Sequence, residues 1–126
     1  MWIDLHGAPG SQNGFDNSGQ MLATPGWQSG DTVAQTLSVL QNITTKYAQP
    51  AYEDLVVAIE LLNEPLSSEL NYGELQQFYR TGFDQVRAVS DTLVMLHDGF
   101  NPPSSWNGFL SVSDNNAQNG NPSFFS

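Results

Sequence analysis

Hydrophobic residues divide the chain into three apolar runs separated by two segments of helical periodicity. The apolar runs cover residues 1–7, 55–62 and 92–97. Between them, hydrophobic side chains recur every three or four residues over 32–47 and 73–90, which is the period of an amphipathic helix. The pattern predicts the order strand, helix, strand, helix, strand, and therefore an α/β fold with right-handed βαβ units and a parallel sheet.

Local signals support these elements. Asp31 stands where an N-cap is expected for the first helix, and Pro50 follows its end. The run 55–62 is apolar almost throughout, which is typical of a parallel strand buried on both faces. The second helix is predicted to turn one apolar side inward, formed by Leu75, Phe78, Tyr79, Phe83, Val86 and Val89.

The connecting segments differ in character. Residues 8–30 are rich in Gly, Asn, Ser and Pro, and a loop of this length in a compact domain is usually functional or disordered. The residues after 97 are predicted to be mostly loop, with one helical turn at 104–110. The chain opens on an apolar run with no signal-peptide pattern before it, so we expect it to start inside a larger domain.

Polar side chains stand at the end of each predicted strand. His6 ends the first, Asn63 and Glu64 the second, and His97 and Asp98 the third. Ligand chemistry in parallel α/β folds gathers at the carboxyl ends of strands. These side chains are therefore predicted to share one edge of the sheet and to form a site there.

Each candidate has a structural alternative. Glu64 could be a general acid, or a loop carboxylate that caps the next helix; Asn63 could bind a substrate hydroxyl or form a turn. Pro65 disfavours the αR conformation for Glu64, so we expect Glu64 to be extended. The loop aromatics Phe15, Trp27 and Trp106 could stack on a sugar ring or pack on the scaffold.

The two histidines and two acidic neighbours leave further alternatives. His6 and His97 could carry protons or hydrogen bonds, but their spacing and the absence of cysteine give no metal motif. Asp4 alternates with His6 and is expected on the same face of its strand. Glu60 lies in the middle of a buried strand, so we interpret it as structural and expect it to need a partner.

Charge restricts the class of ligand. Thirteen acidic residues against three basic ones give a net charge of −10, which disfavours nucleic acid and anionic membrane surfaces as partners. No apolar stretch is long enough for a transmembrane helix, and no P-loop, GxGxxG or GxSxG motif is present. Neutral ligands rich in hydroxyl groups remain.

Three segments together resemble one family. They are WIDLHGAPGSQNGFDNSG at 2–19, IELLNEP at 59–65 and LHDGF at 96–100, and they resemble the fungal exo-β-1,3-glucanases of glycoside hydrolase family 5. The resemblance implies a (β/α)₈ TIM barrel, of which this chain would hold about strands three to five with their helices. Residues 1–118 would be a fragment of the catalytic barrel, and 119–126 a divergent tail.

The resemblance also implies roles for individual residues. The family hydrolyses β-1,3-glucan with a retaining mechanism in which two carboxylates lie about 5–5.5 Å apart, and it needs no metal or other cofactor. By the family pattern Glu64 matches the general acid/base and Asn63 the residue that holds the sugar 2-hydroxyl. The remaining matches are the glucose-subsite His6, the entrance aromatic Phe15, the loop residues Asp16 and Asn17 near bound sugar, and the supporting pair His97 and Asp98.

One departure limits the prediction. The nucleophile of the family, a second Glu in a Gly-Glu-Trp motif, has no match here, so the chain alone is expected to be inactive. A truncated gene model or an unspliced intron is our hypothesis for the divergence after about residue 118. Three strands cannot close a barrel and would leave both outer strands as free edges, so the chain alone is also expected to be poorly folded or to aggregate. The complete parent is expected to be a monomeric, extracellular or cell-wall enzyme that acts on β-glucan. The alternatives are another barrel glycosidase, such as an endo-β-1,4-glucanase, or an inert fragment.

Overall fold

The computed structural model describes residues 1–111 and the backbone of residues 123–125. Two α-helices of 16 residues each alternate with short strands, in the predicted order. The strands are β1 (Trp2–Asp4), β2 (Ala58–Glu60), β3 (Leu93–His97) and β4 (Ser123–Phe125), and the helices are α1 (Thr32–Tyr47) and α2 (Tyr72–Arg87). Short 3₁₀ turns lie at Asp16–Ser18, Pro50–Tyr52 and Pro103–Trp106.

The four strands form one parallel sheet in the order β1-β2-β3-β4. Its register places Asp4 beside Glu60, and Glu60 beside Met95. Because side chains alternate along a strand, these three residues lie on one face and their immediate neighbours on the other. The predicted α/β class and parallel sheet are confirmed.

The strand β4 was not predicted. Residues 123–125 lie within the segment interpreted as loop and divergent tail, yet their backbone pairs with β3 from Met95–Ser123 to His97–Phe125. Three residues are too short to show an alternating pattern, which explains why the sequence did not reveal them. The proposed boundary after residue 118 lies outside the described residues.

The strand β2 is shorter and less covered than its apolar run suggested. Its backbone hydrogen bonds continue past the strand itself, from Val57 N–H to Met1 C=O (2.9 Å) up to Asn63 N–H to Leu5 C=O (3.0 Å). Leu55 and Val57 are nevertheless 56% and 59% exposed. The expectation of burial on both faces is therefore wrong at the amino end of the run and correct from Ala58 to Leu62.

The core lies between the sheet and the two helices. The largest buried side chains include Leu40 of α1, Phe78 and Phe83 of α2, and Ile59 and Leu96 of the sheet. Helix α2 turns inward the residues that its periodicity predicted, and only Val89, past the end of the helix, stays partly exposed. No helix among the described residues is long and apolar enough to cross a membrane.

The two helices begin differently. Asn71 caps α2, because its side chain accepts a hydrogen bond from the Glu74 N–H at 3.1 Å. Asp31 occupies the N-cap position of α1 but makes no capping bond; its carboxylate accepts from the Gln35 side chain at 2.8 Å. The predicted start of α1 is correct, but the predicted capping bond is not made.

Candidate active site

The long loop 8–30 folds over the carboxyl ends of β1 and β2 and is held in place by buried contacts. Trp27 is fully buried; its indole N–H donates to the Thr36 hydroxyl at 2.9 Å, and its ring meets Phe78 edge-on at 4.9 Å. Gly10 approaches the Gly26 carbonyl so closely that a Cβ at Gly10 would lie 2.7 Å from its oxygen. The loop is thus a packed part of the domain.

Of the three aromatics considered for sugar stacking, two belong to the scaffold. Trp27 is fully buried, and Trp106 is 4% exposed, with its indole N–H donated to the Asp98 carbonyl at 2.9 Å. Phe15, in contrast, is 43% exposed. Among these three, only Phe15 is available to a ligand.

The loop brings an amide to Glu64. Asn17 Nδ2 donates to Glu64 Oε2 at 2.6 Å, and Asn17 Oδ1 in turn accepts from Asn13 Nδ2 at 3.2 Å. Asn13 is buried, whereas Glu64 is half-buried. The carboxylate that the sequence selected therefore stands at the rim of the sheet, oriented by a side chain 47 residues earlier in the chain.

The backbone of Glu64 differs from the expectation. Its φ is +45°, in the left-handed region, and not extended. The following proline excludes only the right-handed helical conformation, so it does not by itself select an extended one. Tertiary hydrogen bonds hold the backbone on both sides of Glu64, at Asn63 and Leu66. The left-handed conformation between them is costly for a residue that carries a Cβ.

Asn63 offers a hydrogen-bond donor at the same edge. Its side-chain Nδ2 is buried and has no hydrogen-bond partner within the described residues. Its backbone is fixed from both sides, since the N–H donates to Leu5 C=O at 3.0 Å and the C=O accepts from Gln12 Nε2 at 2.8 Å. A side-chain amide donor on a fixed backbone, without a partner in the described part of the chain, suits a group that binds a ligand.

Gln12 is a residue that sequence reasoning missed. It is fully buried, and its side chain connects the ends of β1 and β2 by donating to the carbonyls of His6 (2.9 Å) and Asn63 (2.8 Å). A glutamine in a Gly/Asn/Ser-rich loop is expected to be exposed to solvent. Only the three-dimensional fold shows that its partners lie 6 and 51 residues away.

Two acidic residues and a histidine are neighbours at the sheet. Asp4 pairs with His6 and stands beside Glu60 in the strand register. His6 Nδ1 lies 2.6 Å from Asp4 Oδ2. Burial raises the pKa of Glu60 to about 8, and the negative charges of Asp4 and Glu64 add to this. Asp4 lies beside Glu60 in the sheet register, but Asp4 Oδ1 and Glu60 Oε1 are buried without hydrogen-bond partners in the described part of the chain, so the partner expected for Glu60 is not found there.

His97 is the last residue of β3 and Asp98 follows it, and both are nearly fully buried. The Gly99 N–H donates to His97 Nδ1 at 3.0 Å, so the ring proton of neutral His97 resides on Nε2. Burial lowers the pKa of His97, against the opposing charges of Asp98 and Glu64. Asp98 Oδ1 accepts from the Phe100 N–H at 2.8 Å, so this carboxylate shapes the turn after β3.

Some of the predicted site residues are thus in contact with each other, and others are not. Asn17 and Glu64 are in direct contact, and Gln12 links His6 to Asn63. Asp16 is exposed at the start of the 3₁₀ turn that also carries Asn17. Within residues 1–111, no group of three His, Cys, Asp or Glu side chains is placed to hold a metal ion.

Comparison with curated proteins gives consistent matches. The chain is 49% identical over 113 residues to the glucan 1,3-beta-glucosidase of Schwanniomyces occidentalis, and 50% identical over 108 residues to that of Blumeria graminis. These matches cover 89% and 86% of this chain, but 26% and 25% of the two relatives. Glucan 1,3-beta-glucosidase 1 of Schizosaccharomyces pombe is 41% identical over 118 residues, which is 92% of this chain and 29% of that protein.

Other comparisons add little. No protein-family model matches the chain. A solved complex of endoglycoceramidase II from Rhodococcus sp. with ganglioside GM3 aligns with 68% of this chain and 18% of that one, at 24% identity and a TM-score of 0.46, which is too low to show a shared fold.

The relatives bear out the predicted resemblance. The chain spans about a quarter of the length of the curated relatives it matches. Over nearly nine-tenths of its own length it is related in sequence to the glucan 1,3-beta-glucosidases of fungi.

Proposed function

We propose that these residues form part of a retaining glucan 1,3-β-glucosidase of glycoside hydrolase family 5, with Glu64 as its general acid/base. The observation that carries the proposal lies after β2, where Asn17 holds the Glu64 carboxylate at 2.6 Å and the preceding residue, Asn63, has an amide donor with no partner among the described residues. A carboxylate and a hydroxyl-binding donor side by side are what glycoside hydrolysis needs on one side of the scissile bond.

The mechanism divides into two steps. In the first, a carboxylate nucleophile from outside the described residues attacks the anomeric carbon, the bond to the leaving oxygen breaks, and protonated Glu64 gives its proton to that oxygen. In the second, ionised Glu64 takes a proton from water, whose oxygen attacks the anomeric carbon and releases the nucleophile and the sugar product, glucose. Glu64 thus returns to its protonated form.

The neighbouring residues bind the sugar. Asn63 Nδ2 donates to the 2-hydroxyl, a contact that strengthens in the transition state. His6, oriented by Asp4 at 2.6 Å, lines the glucose subsite, and exposed Phe15 covers an apolar sugar face at the entrance. Asp16 and Asn17 contact sugar from the loop, while His97 and Asp98 support the floor of the site.

The fold that suits this function is a (β/α)₈ barrel, in which β1, β2 and β3 would be strands three, four and five. The face that carries Asp4, His6 and Glu60 would then point into the barrel. The partner is a β-glucan, the parent is a secreted or wall-associated monomer, and residues 1–118 belong to its catalytic domain. The strongly acidic composition, with a net charge of −10, is compatible with an uncharged polysaccharide.

The complete polypeptide that carries these residues provides the test. We expect it to release glucose from laminarin-type oligosaccharides and not from cellulose-type ones. Glu64→Gln should lower kcat/KM on laminarin oligosaccharides by about 10²–10⁴-fold, the usual contribution of a general acid. The kcat/KM for 2,4-dinitrophenyl β-glucoside should change much less, because it reports the first step only and this leaving group departs without a proton.

The matched control is Glu69→Gln, which removes an exposed carboxylate five residues further along the same loop. It should leave both rates unchanged. Equal rates for Glu64→Gln and Glu69→Gln would exclude Glu64 as the acid. Glucose release from cellulose-type substrates alone would exclude the β-1,3 specificity.

A further inference from the structure

The side chain of Gln12 has three hydrogen bonds in a site closed to solvent. Its Nε2 group donates one proton to the His6 carbonyl at 2.9 Å and the other to the Asn63 carbonyl at 2.8 Å. Its Oε1 accepts from the Ala8 N–H at 3.0 Å, and the residue is fully buried. Both amide protons are therefore used, and no other neutral side chain has this set of donors and acceptor at this length.

The backbone of Gln12 binds the same segment from the other side. Its carbonyl accepts from the Leu66 N–H at 3.0 Å. One residue thus holds the Asn63 carbonyl, just before Glu64, and the Leu66 N–H, just after Pro65. Since proline has no N–H and Glu64 is at the rim, these two bonds fix where the Glu64–Pro65 turn lies.

The bond to Asn63 acts directly on the conformation of Glu64. The Asn63 carbonyl belongs to the peptide plane whose nitrogen is that of Glu64, so holding this carbonyl fixes one side of the φ rotation. That rotation is +45°, which a non-glycine residue adopts only when its surroundings impose it. We propose that Gln12 is the positioning residue of the site: it holds Glu64 in the left-handed conformation that directs its carboxyl to the substrate.

This role rests on the proposed function, because it matters only if Glu64 transfers a proton. It also predicts that loop 8–30 and the carboxyl of Glu64 move together. Asn17, which contacts the Glu64 carboxylate, and Gln12, which fixes the Glu64 backbone, come from the same loop. A shift of that loop would displace the carboxyl from the leaving oxygen while Asn63 and His6 could still bind sugar.

Gln12→Met in the complete protein is the first test, because methionine fills a similar volume without donors. We expect kcat/KM on laminarin oligosaccharides to fall by about 10–100-fold, a part of the ~10²–10⁴-fold that a general acid supplies. The kcat/KM on 2,4-dinitrophenyl β-glucoside should stay within about threefold, because the first step, which kcat/KM reports, needs no acid with this leaving group. A purely structural loss would lower both rates equally, through the fraction of folded protein.

Thr36→Val is the matched control. It removes another buried hydrogen bond of the same loop, the one from Trp27 to Thr36, without touching residues 63–66. We expect it to lower thermal stability and to leave the ratio of the two rates unchanged. If Gln12→Met changes the ratio no more than Thr36→Val does, the positioning role is wrong.

Gln12→Glu gives an independent reading if Gln12→Met fails to fold. A protonated glutamic acid can still donate one hydrogen bond to a carbonyl, whereas the carboxylate would face two carbonyl oxygens and repel them. The variant should therefore retain activity on laminarin oligosaccharides near pH 5 and lose it more steeply than the parent towards pH 8. A pH profile parallel to that of the parent would overturn the proposal.

The two proposals fail in different ways. If Glu64→Gln does not separate the two substrates, Glu64 is not the acid and the proposed function fails. If Glu64→Gln separates them but Gln12→Met does not, only the role of Gln12 fails.

Discussion

Glu60 shows how a single buried carboxyl depends on its neighbours. It is 2% exposed, stands beside Asp4 in the sheet register, and shares its surroundings with Glu64. Burial first, and then the negative charges of Asp4 and Glu64, raise its pKa to about 8. At neutral pH Glu60 is therefore mostly protonated, and it can donate a hydrogen bond where a carboxylate would repel its neighbours.

A pH dependence of stability follows from this raised pKa. The ordinary value is 4.5, so between about pH 4.5 and 8 the unfolded chain has released a proton that the folded chain keeps. Below about pH 4.5 Glu60 is protonated in both states and its stabilising contribution is fully present. As pH rises from there towards 8, the free energy of unfolding falls, because the unfolded chain gains from ionising Glu60 and the folded chain does not. The loss should be on the order of a few kcal/mol at most, from ~1.4 kcal/mol per pKa unit.

Glu60→Gln tests this in the complete protein, since glutamine imitates the protonated acid. We expect similar melting temperatures for parent and variant near pH 5 and a higher melting temperature for the variant near pH 8. The exposed Glu69→Gln should follow the parent at both values. A parent whose melting temperature exceeds that of Glu60→Gln at pH 8 would show that Glu60 is stabilising as an anion.

Some candidate site residues could be selected from the sequence, and others could not. Glu64 and Asn63 could be selected because a polar pair ends an apolar run, which is visible in sequence. The choice between Phe15 and Trp27 as a surface aromatic could not be made, since it depends on the contact of Trp27 with Phe78 and Thr36 across the fold. Gln12 was missed for the same reason.

At the scale of elements, the sequence pattern located both helices and three strands within a few residues. Helical and strand periods are local properties, and they follow from which face each element buries. The extent of strand pairing was predicted wrongly. The apolar run 55–62 extends beyond β2, and β4 has too few residues to show a pattern in the sequence. Strand pairing depends on distant partners, so local pattern alone does not determine it.

Helix α2 lies close to the sheet and to α1 at one glycine, Gly82. At Gly82 a Cβ would lie 2.9 Å from Leu61 Cδ1 and 3.4 Å from Leu40 Cδ1, and both leucines are buried. Glycine thus allows α1, α2 and the end of β2 to meet closely. A helical glycine elsewhere would ordinarily be a weak point in the helix.

We therefore expect opposite outcomes for the same substitution at two places in α2. Gly82→Ala should destabilise the complete protein by about 1–3 kcal/mol through overpacking, despite the better helix propensity of alanine. Gly73→Ala, in the exposed first turn, should be neutral or stabilising by up to ~1 kcal/mol. Urea midpoints compare the two, and a Gly82→Ala protein as stable as Gly73→Ala would show that Leu61 and Leu40 can move aside.

At the scale of the whole molecule, the sheet is covered unevenly. One face contributes Ile3, Ile59 and Leu96 to the core with the helices. The other face exposes Trp2 by 51% and Leu93 by 41%, although parallel sheets are normally covered on both faces. Strand β4 covers the outer edge of β3, which corrects the expectation of two free edges, while β1 pairs only with β2 among the described residues.

This uneven cover carries a prediction for the 126-residue chain by itself. Exposed apolar side chains beside an unpaired strand edge favour association between chains. We expect the isolated chain at micromolar concentration to elute as oligomers in size-exclusion chromatography and to lack a sharp thermal transition, whereas the complete protein melts cooperatively. A monomeric elution with a cooperative melt would contradict this.

A double variant of the sheet and a control variant of α1 identify the surface through which the isolated chains associate. Trp2→Thr together with Leu93→Thr removes apolar area from the open sheet face, so it should shift the isolated chain towards the monomer. Val39→Thr removes a similarly exposed side chain, 42% accessible, from α1 and should change nothing. If Val39→Thr reduces association as much as the sheet variants do, general hydrophobicity and not the open face drives it. If the sheet variants alone act, the face that carries Asp4 and Glu60 is the surface that the rest of a larger domain must cover.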